Sequence, residues 1–404
     1  MSTAAQQNAM MLASLIGVDE AKAGERLART VLITAPPGDK SDWAAEIGEV
    51  LGRTVSVRFE QAGPAPDVEL IIASAVPRTS AACLYADMGS AAAVASLEPV
   101  AKLSGRPHGL LAAAAACAVT AAAVHTVIAA GSLPHVRFPM RLDFAQLGIP
   151  GGVIGRPLYI GQAVMAGAGA VAHAFLWAAR HLDIRGEVTI VDPKTVQPGI
   201  LNRCLYLRPE DIGRDKATVL AERAQPAFPG LRLRPHVGDF RSFVKPLPHP
   251  PETVFVTVDS RHVRRSIQEE APRRIVDAST TDASGVVVHS NLLPTESACL
   301  ACIYRHVPEE HARERSIAEG LGVELADVRS GLITPEIARR IVLTHPTISG
   351  EAIVGLAFDS LFRQLCSEQA LATPEGRQVL APFAFVSAWA GVLQAVETMR
   401  SFAG

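Results

Sequence analysis

Short apolar runs separated by polar turns set the pattern of the first 150 residues. Thr30–Thr34 (TVLIT), Thr54–Phe59 and Val68–Ala73 (VELIIA) read as buried strands. Between the first two, Ser41–Leu51 (SDWAAEIGEVL) carries apolar residues at helical spacing, with Ser41 placed as an N-cap. The pattern then changes. Leu110–Ala130 (LLAAAAACAVTAAAVHTVIAA) is apolar almost throughout, with His125 its one titratable imidazole, and an extended stretch follows at residues 135–144. Its length would suit a bilayer. Alanine dominates it, however, so it reads as an interior helix whose small side chains let neighbours come close. Strands alternating with helices predict a parallel sheet covered by helices.

Residues 145–160 (AQLGIPGGVIGRPLYI) are rich in Gly and Pro and read as a connector, which divides the chain into 1–150 and 151–404. Beyond it, an apolar run at Ala163–Ala166 leads into Gly167-Ala-Gly169-Ala-Val-Ala172 and then the helical pattern HAFLWAARHL. A further strand, Glu187–Val191, ends in Asp192. This is a βαβ unit with a glycine-rich turn and an acid at its second strand's end. Gly167 permits the tight turn. Gly169 lets backbone N–H groups approach phosphate at a helix N-terminus. Asp192 is placed to accept from ribose hydroxyls, and Ala172 stands where the fingerprint has its third glycine. The first half has no such turn: after TVLIT comes APPGDKSD, whose Lys40 lacks the P-loop pattern. The expected architecture is α/β with two Rossmann-like domains, the second carrying the nucleotide and the first inactive.

At 404 residues the chain has room for two or three domains. Hydrophobic residues at 49% and charged residues at 19% exclude a largely disordered chain. The formal charge of −2, from 38 basic and 40 acidic residues, argues against a nucleic-acid binder. Six cysteines in a chain this long do not make a disulfide scaffold. The N-terminus lacks a basic region ahead of its apolar residues, so no secretory signal is read, and a cytoplasmic, membrane-free enzyme is expected.

The motifs after Asp192 favour ATP chemistry over hydride transfer. Asn202-Arg203-Cys204-Leu205 is followed by Glu210-Asp-Ile-Gly-Arg-Asp-Lys216-Ala, and the run TVFVTVD ends in Asp259, with Ser260 and Arg264 beyond. A dehydrogenase does not need this set. Activation of a carboxylate by ATP does: Arg203 and Lys216 are suited to hold the triphosphate, and Asp259 to hold magnesium. GAGAVA, VTIVDP, LNRCLYLRPEDIGRDKA and TVDSRHVRRSI, in that order, resemble the ubiquitin-activating-type adenylyltransferases, the superfamily of ThiF and MoeB. CLACIY is similar to the family's CxxC segment, and APFAFVSAWAGVLQAVE at 381–397 to its closing helix. HGLLAAAAACAVTAAAVHTVI is similar to the Ala-rich helix of bacterial members with an extra, inactive domain.

The resemblance implies that Gly167, Gly169, Asp192, Asn202, Arg203, Lys216 and Asp259 bind ATP and Mg2+. It implies as substrate a small ubiquitin-like protein ending in glycine, with transfer to an enzyme cysteine, then to a conjugating-type partner, and a homodimeric enzyme. A peptide or sulfur-carrier substrate in cofactor or natural-product assembly is the alternative. A nicotinamide-dependent oxidoreductase and a non-catalytic scaffold stand behind it. The family's NLNRQ is ILNRC here, so Ile200 and Cys204 replace two polar residues beside the nucleotide.

Cys366 lies before the closing helix, where relatives carry a crossover segment and a catalytic cysteine. A thioester there requires a thiolate, and Arg363 is one turn upstream to favour it. The competing reading is an inert helix-end thiol, and Cys302 is the second candidate nucleophile. Cys299-x-x-Cys302 supplies half of a tetrahedral zinc site. His306 would be a third ligand, and His311, Cys366 or a partner chain a fourth; otherwise the two are a plain thiol pair. Cys83, Cys117 and Cys204 read as packing residues, and His173 as a neutral surface or packing residue rather than an acid-base group. His262 is a weak substrate contact, and Arg261–Arg265 a solvated helix face bearing one functional residue, Arg264.

Overall fold

Two six-stranded sheets organise the chain. The structure, a computed structural model, describes residues 3–73, 75–128, 136–280, 285–304, 308–367 and 382–402, with the backbone alone at 308–312, 363, 366 and 367. The first half runs α1 (Ala4–Ile16), α2 (Glu20–Leu27), β1 (Thr30–Thr34), α3 (Asp39–Leu51), β2 (Ser56–Arg58), β3 (Val68–Ile72), β4 (Ala82–Met88), β5 (Ala92–Ser96), α4 (Gly109–Ile128) and β6 (Met140–Asp143). Thr3 starts α1 with a capping box shared with Gln6.

The strand order is β2-β1-β3-β4-β5-β6. The first four strands are parallel, whereas β5 pairs antiparallel with β4 and with β6. The sheet is thus parallel over four strands and antiparallel at one end, because the short link between β4 and β5 can close a hairpin but not a crossover. Helix α3 begins at Asp39 behind Gly38, whose φ is +93°, and not at Ser41. Of the expected strand Thr54–Phe59 only Ser56–Arg58 pairs, and of the stretch 135–144 only Met140–Asp143; residue 135 lies outside the described residues.

Helix α4 is long and apolar enough to cross a membrane by length and composition, yet most of it is buried. Its alanines let it pack against α3, β4 and β5, and Trp43 donates from its indole nitrogen to the Ala112 carbonyl at 3.1 Å.

The second half continues with β7 (Leu158–Ala166), α5 (Ala170–Ala179), β8 (Ile184–Val191), α6 (Lys216–Ala224), β9 (Leu231–His236), α7 (Phe240–Val244), β10 (Thr253–Val256), α8 (Arg261–Glu269), β11 (Arg274–Thr280) and β12 (Val286–Leu292). The order β12-β11-β10-β7-β8-β9 is parallel except for β12. It reverses direction of growth between β7 and β10, and in a doubly wound sheet ligands bind in the crevice beyond the carboxyl ends of two such strands.

The first sheet has the equivalent crevice between β1 and β3, and there it is filled. Arg78 donates from Nε to Thr34 Oγ1 at 2.9 Å and from Nη2 to the Ile33 carbonyl at 3.0 Å. Buried Glu69 accepts from Thr34 Oγ1 at 2.6 Å and from the Arg78 and Thr79 amides at 2.8 and 2.9 Å. Lys40, the residue without a P-loop, is paired with buried Asp87 at 2.5 Å.

After β12 come α9 (Leu300–Ile303), then α10 (Pro308–Leu321), α11 (Leu325–Ser330), α12 (Pro335–Thr344), α13 (Gly350–Ile353), α14 (Phe358–Ser367) and the closing helix α15 (Ala384–Phe402). Helices α10–α14 surround an apolar core of their own, with Leu321, Ile341, Phe358 and Leu361 at its centre. Helix α15 packs along α5. At Gly391 the two backbones touch: an added Cβ would stand 2.2 Å from the Ala174 carbonyl carbon and 2.4 Å from the Phe175 nitrogen. Gly391→Ala forces these helices apart, and overpacking of this kind costs about 1–3 kcal/mol. Urea unfolding should show that loss of stability, with a lowered midpoint and an unchanged slope.

Candidate active site

The crevice between β7 and β10 opens into a cleft of about 1210 Å³ lined by Gly167, Gly169, Asp192, Arg203, Lys216 and Asp259. Residues spread over more than ninety positions of sequence are thus brought to one place. The turn after β7 is held from two sides. Asp192 is buried, and its carboxylate accepts from the Ala168 amide at 2.7 Å and the Lys194 amide at 2.8 Å. Thr257, just after β10, sets its hydroxyl 2.9 and 2.8 Å from the carbonyls of Ala166 and Gly167.

Gly167 has a φ of +98° and lies against the backbone of Thr257 and Val258, at 3.2 and 3.1 Å from its notional Cβ. That combination requires glycine. Gly169 is the N-cap of α5, contributes no side-chain cap, and has open space where a Cβ would point. The first N–H groups of α5 therefore lack a side-chain acceptor and border the cleft, the arrangement in which a helix N-terminus takes phosphate.

Two cations flank this turn. Lys216 opens α6 and is buried; the Thr195–Asp215 bridge and the bond from its amide to the Lys194 carbonyl at 3.0 Å set its place. Burial is the main cause that lowers its pKa, Asp192 opposes it and Lys194 adds to it. A triphosphate would reverse that balance by supplying the missing counter-charge. Arg203 is half-buried and donates from Nη1 to the Gly199 carbonyl at 3.1 Å and to Asn202 Oδ1 at 2.7 Å. Burial lowers its pKa as well.

Asn202 does not face the cleft. It is buried, and its Nδ2 donates to Asn8 Oδ1 at 2.8 Å, while Asn8 Nδ2 donates to the Arg53 carbonyl at 2.7 Å. Arg53 in turn donates to the carbonyls of Leu201 and Leu207 at 2.8 and 3.0 Å and to that of Leu205. The segment bearing Arg203 is thus clamped by the first half of the chain. Gln7, on α1, lines the cleft beside Ile200 and Cys204. Nothing in the pattern of α1 signals this role; the contact spans most of two domains.

The side chain of Asp259 is about half exposed (55%) and opens on the cleft. As a carboxylate it suits a hard divalent cation. Glycine turn, uncapped helix end, one buried and one half-buried cation and an accessible carboxylate together fit a magnesium–ATP pair. Lys194, Thr257 and Ser360 also line the cleft. Thr257 lies inside the motif TVFVTVD, two residues before Asp259, and Lys194 two residues beyond Asp192, whereas nothing local to Ser360 marks it.

Arg264 departs from its expected role. It is buried, pairs with buried Asp277, donates to the Ala278 carbonyl at 3.2 Å, and lies 5.1 Å over the Tyr304 ring. The carboxylate on β11 claims the guanidinium, so the residue expected to be functional on this helix braces the cleft wall. His262 Nε2 lies 3.0 Å from the Val328 carbonyl.

Cys204 is buried against Val196, Leu207 and Val219, and burial pushes its thiol up despite Arg203, Lys216 and Arg53 nearby. Cys117 is buried and Cys83 half-buried. The Sγ atoms of Cys299 and Cys302 are 3.7 Å apart. Among the described residues no group of three or more His, Cys, Asp or Glu could hold a metal there. His306 and the side chains of His311, Arg363 and Cys366 lie outside what is described. The backbone places Cys366 at the end of α14.

Residues 161–404 match the ThiF family, and residues 1–150 match the E1 N-terminal domain. A Sinorhizobium fredii protein, uncharacterized protein y4jF, is 25% identical over 410 aligned positions, which cover 93% of this chain and 76% of its own. Among solved structures, E. coli MccB is 13% identical over 60% of this chain and 55% of its own, with a TM-score of 0.37. E. coli tRNA N6-threonylcarbamoyladenosine dehydratase, TcdA, is 14% identical over 60% of this chain and 86% of its own, with a TM-score of 0.33. The chain spans little more than half the length of the MccB structures it matches.

His173, on the first turn of α5, is fully buried and accepts from the Tyr206 amide at 3.3 Å through Nδ1. Burial, aided by Arg53 and Lys216, lowers its pKa to about 3. The unfolded chain therefore binds a proton that the folded one refuses between about pH 6.5 and pH 3. Stability contributed by neutral His173 is intact above pH 6.5 and falls as pH drops, by up to about 1.4 kcal/mol per pH unit. Urea titrations at pH 6 and pH 5 should show a shallower pH slope in His173→Gln than in the parent protein.

Proposed function

The chain belongs to the ThiF family, whose members are adenylyltransferases, and from that premise we propose that it adenylates the C-terminal glycine carboxylate of a small ubiquitin-like protein. The observation that supports this reading is the convergence of Gly167, Gly169, Asp192, Arg203, Lys216 and Asp259 on one cleft at the switch point of the second sheet.

In this reading the amides at the start of α5 take phosphate oxygens, and Arg203 and Lys216 neutralise the chain of phosphates. Asp192 keeps the turn in place through the Ala168 amide and has acceptor capacity left for a ribose hydroxyl. Asp259 holds Mg2+, which when bound supplies charge neutralisation for the departing pyrophosphate. The substrate carboxylate oxygen attacks the α-phosphorus, the bond to the bridging oxygen breaks, and pyrophosphate leaves with its electron pair. The protein's contribution is position and preorganised charge. A substrate ending in glycine presents a bare carboxylate that can enter beside the α-phosphate without a side-chain clash.

The second step assigns Cys366 as nucleophile. Its thiolate attacks the acyl carbon of the adenylate, AMP departs, and a thioester remains for a conjugating-type partner. The enzyme works in the cytoplasm as a homodimer.

Mixing the protein with magnesium–ATP and the ubiquitin-fold protein from its gene neighbourhood tests both steps by intact mass. The small protein should gain an adenylate, and under non-reducing conditions the enzyme should gain an adduct that dithiothreitol removes. Lys216→Ala and Asp259→Ala should each cut adenylate formation at least about 100-fold, the scale of losing one preorganised charge contact. Cys366→Ala should spare adenylation and abolish the adduct. Full adenylation by either charge variant would overturn the site assignment; an adduct that survives Cys366→Ala would overturn the cysteine's role.

A further inference from the structure

Helices α10–α14 form a lobe with its own core, separate from the clusters that close the second sheet. The lobe touches the sheet at the cleft itself, on residues 259–262. Ser360, on α14 and almost fully buried, donates from Oγ to Asp259 Oδ1 at 2.7 Å. The Val328 carbonyl, on α11, meets His262 Nε2 at 3.0 Å. Lys194 Nζ stands 3.9 Å from the same Asp259 Oδ1. One carboxylate oxygen is thus shared between a hydroxyl from the lobe and an ammonium group from the turn after β8.

We propose that Ser360 is a positioning residue for divalent-cation binding at Asp259, so that docking of the helical lobe sets the cation affinity of the nucleotide cleft. This rests on the reading that Asp259 holds the cation of a metal–ATP pair. A hydroxyl is suited to the task because it orients a carboxylate without bringing positive charge beside a cation. Lys194 could orient it too, but as a competitor: an ammonium group closing from 3.9 Å to direct contact forms a charge-assisted bond that opposes metal binding. Ser360 holds one lone-pair site of Oδ1 by a neutral hydrogen bond. The same helix carries Cys366 six residues later, roughly 9 Å along the axis.

Mn2+ binding to the full chain in the presence of α,β-methylene ATP, followed by electron paramagnetic resonance, tests this without turnover. Ser360→Ala should weaken Mn2+ binding about 10-fold, the scale of losing an outer-shell partner of a metal ligand. Ser360→Thr, which keeps the hydroxyl, should restore it. Affinity for the nucleotide without metal should not change, and in an Asp259→Asn background Ser360→Ala should add no further loss. Parent-like Mn2+ affinity in Ser360→Ala would overturn the proposal. So would an equal loss of metal-free nucleotide affinity, or an undiminished effect in the Asp259→Asn background. Metal-dependent binding in the parent that Asp259→Asn leaves intact would instead overturn the reading of Asp259, and this inference with it.

Discussion

The carboxylate of Asp192 holds the turn after β7 to the turn after β8, through the amides of Ala168 and Lys194. Together with the bond from the Gly167 amide to the Val191 carbonyl at 2.9 Å, that tie fixes the glycine turn at the end of β8 ahead of the first turn of α5. Everything used by the site is measured from it. Lys194 leads, by one backbone bond, to Lys216 at the start of α6. Thr257 ties the same glycine turn to the end of β10, where Asp259 follows. Helix α5 is then pressed from behind by α15 at Gly391, where no side chain fits. A buried polar anchor and a backbone-to-backbone contact thus define the crevice from opposite sides.

Two sheets of similar plan have come to different ends. In the second, the crevice between β7 and β10 is open and lined by amides and cations. In the first, Arg78 and Glu69 satisfy the backbone and hydroxyl groups around the ends of β1 and β3, so a ligand would have to displace hydrogen bonds already made. The first half still serves the site. Asn8, Asn202 and Arg203 form a relay of side-chain bonds from α1 to a cation in the cleft, and Arg53 fastens the carbonyls around it. The first half thus helps to hold an arginine that lines the cleft of the second.

Much of this was legible in the sequence because it is local. TVLIT, VELIIA and GEVTIV are apolar runs that become β1, β3 and the end of β8, and the glycine turn needs its residues whatever surrounds it. The antiparallel end of the first sheet was less legible, since ACLYADM and AAVAS are rich in alanine rather than β-branched residues and are joined by a tight link. The pairing of Arg264 was not legible because its partner, Asp277, lies on β11 and only the fold brings the buried pair together. The roles of Asn8, Gln7 and Ser360 follow from contacts between segments far apart in the chain, which no periodicity reports. Ile200 and Cys204, departures visible in the motif, sit beside Gln7 in the cleft.

The central claim is that one crevice of the two, the second, takes the nucleotide. Hydrogen–deuterium exchange with and without magnesium and α,β-methylene ATP tests it most directly. Slowed exchange is expected in residues 166–172 and 192–204, with residues 33–40 unchanged. Protection at 33–40, with none at 166–172, would contradict the account.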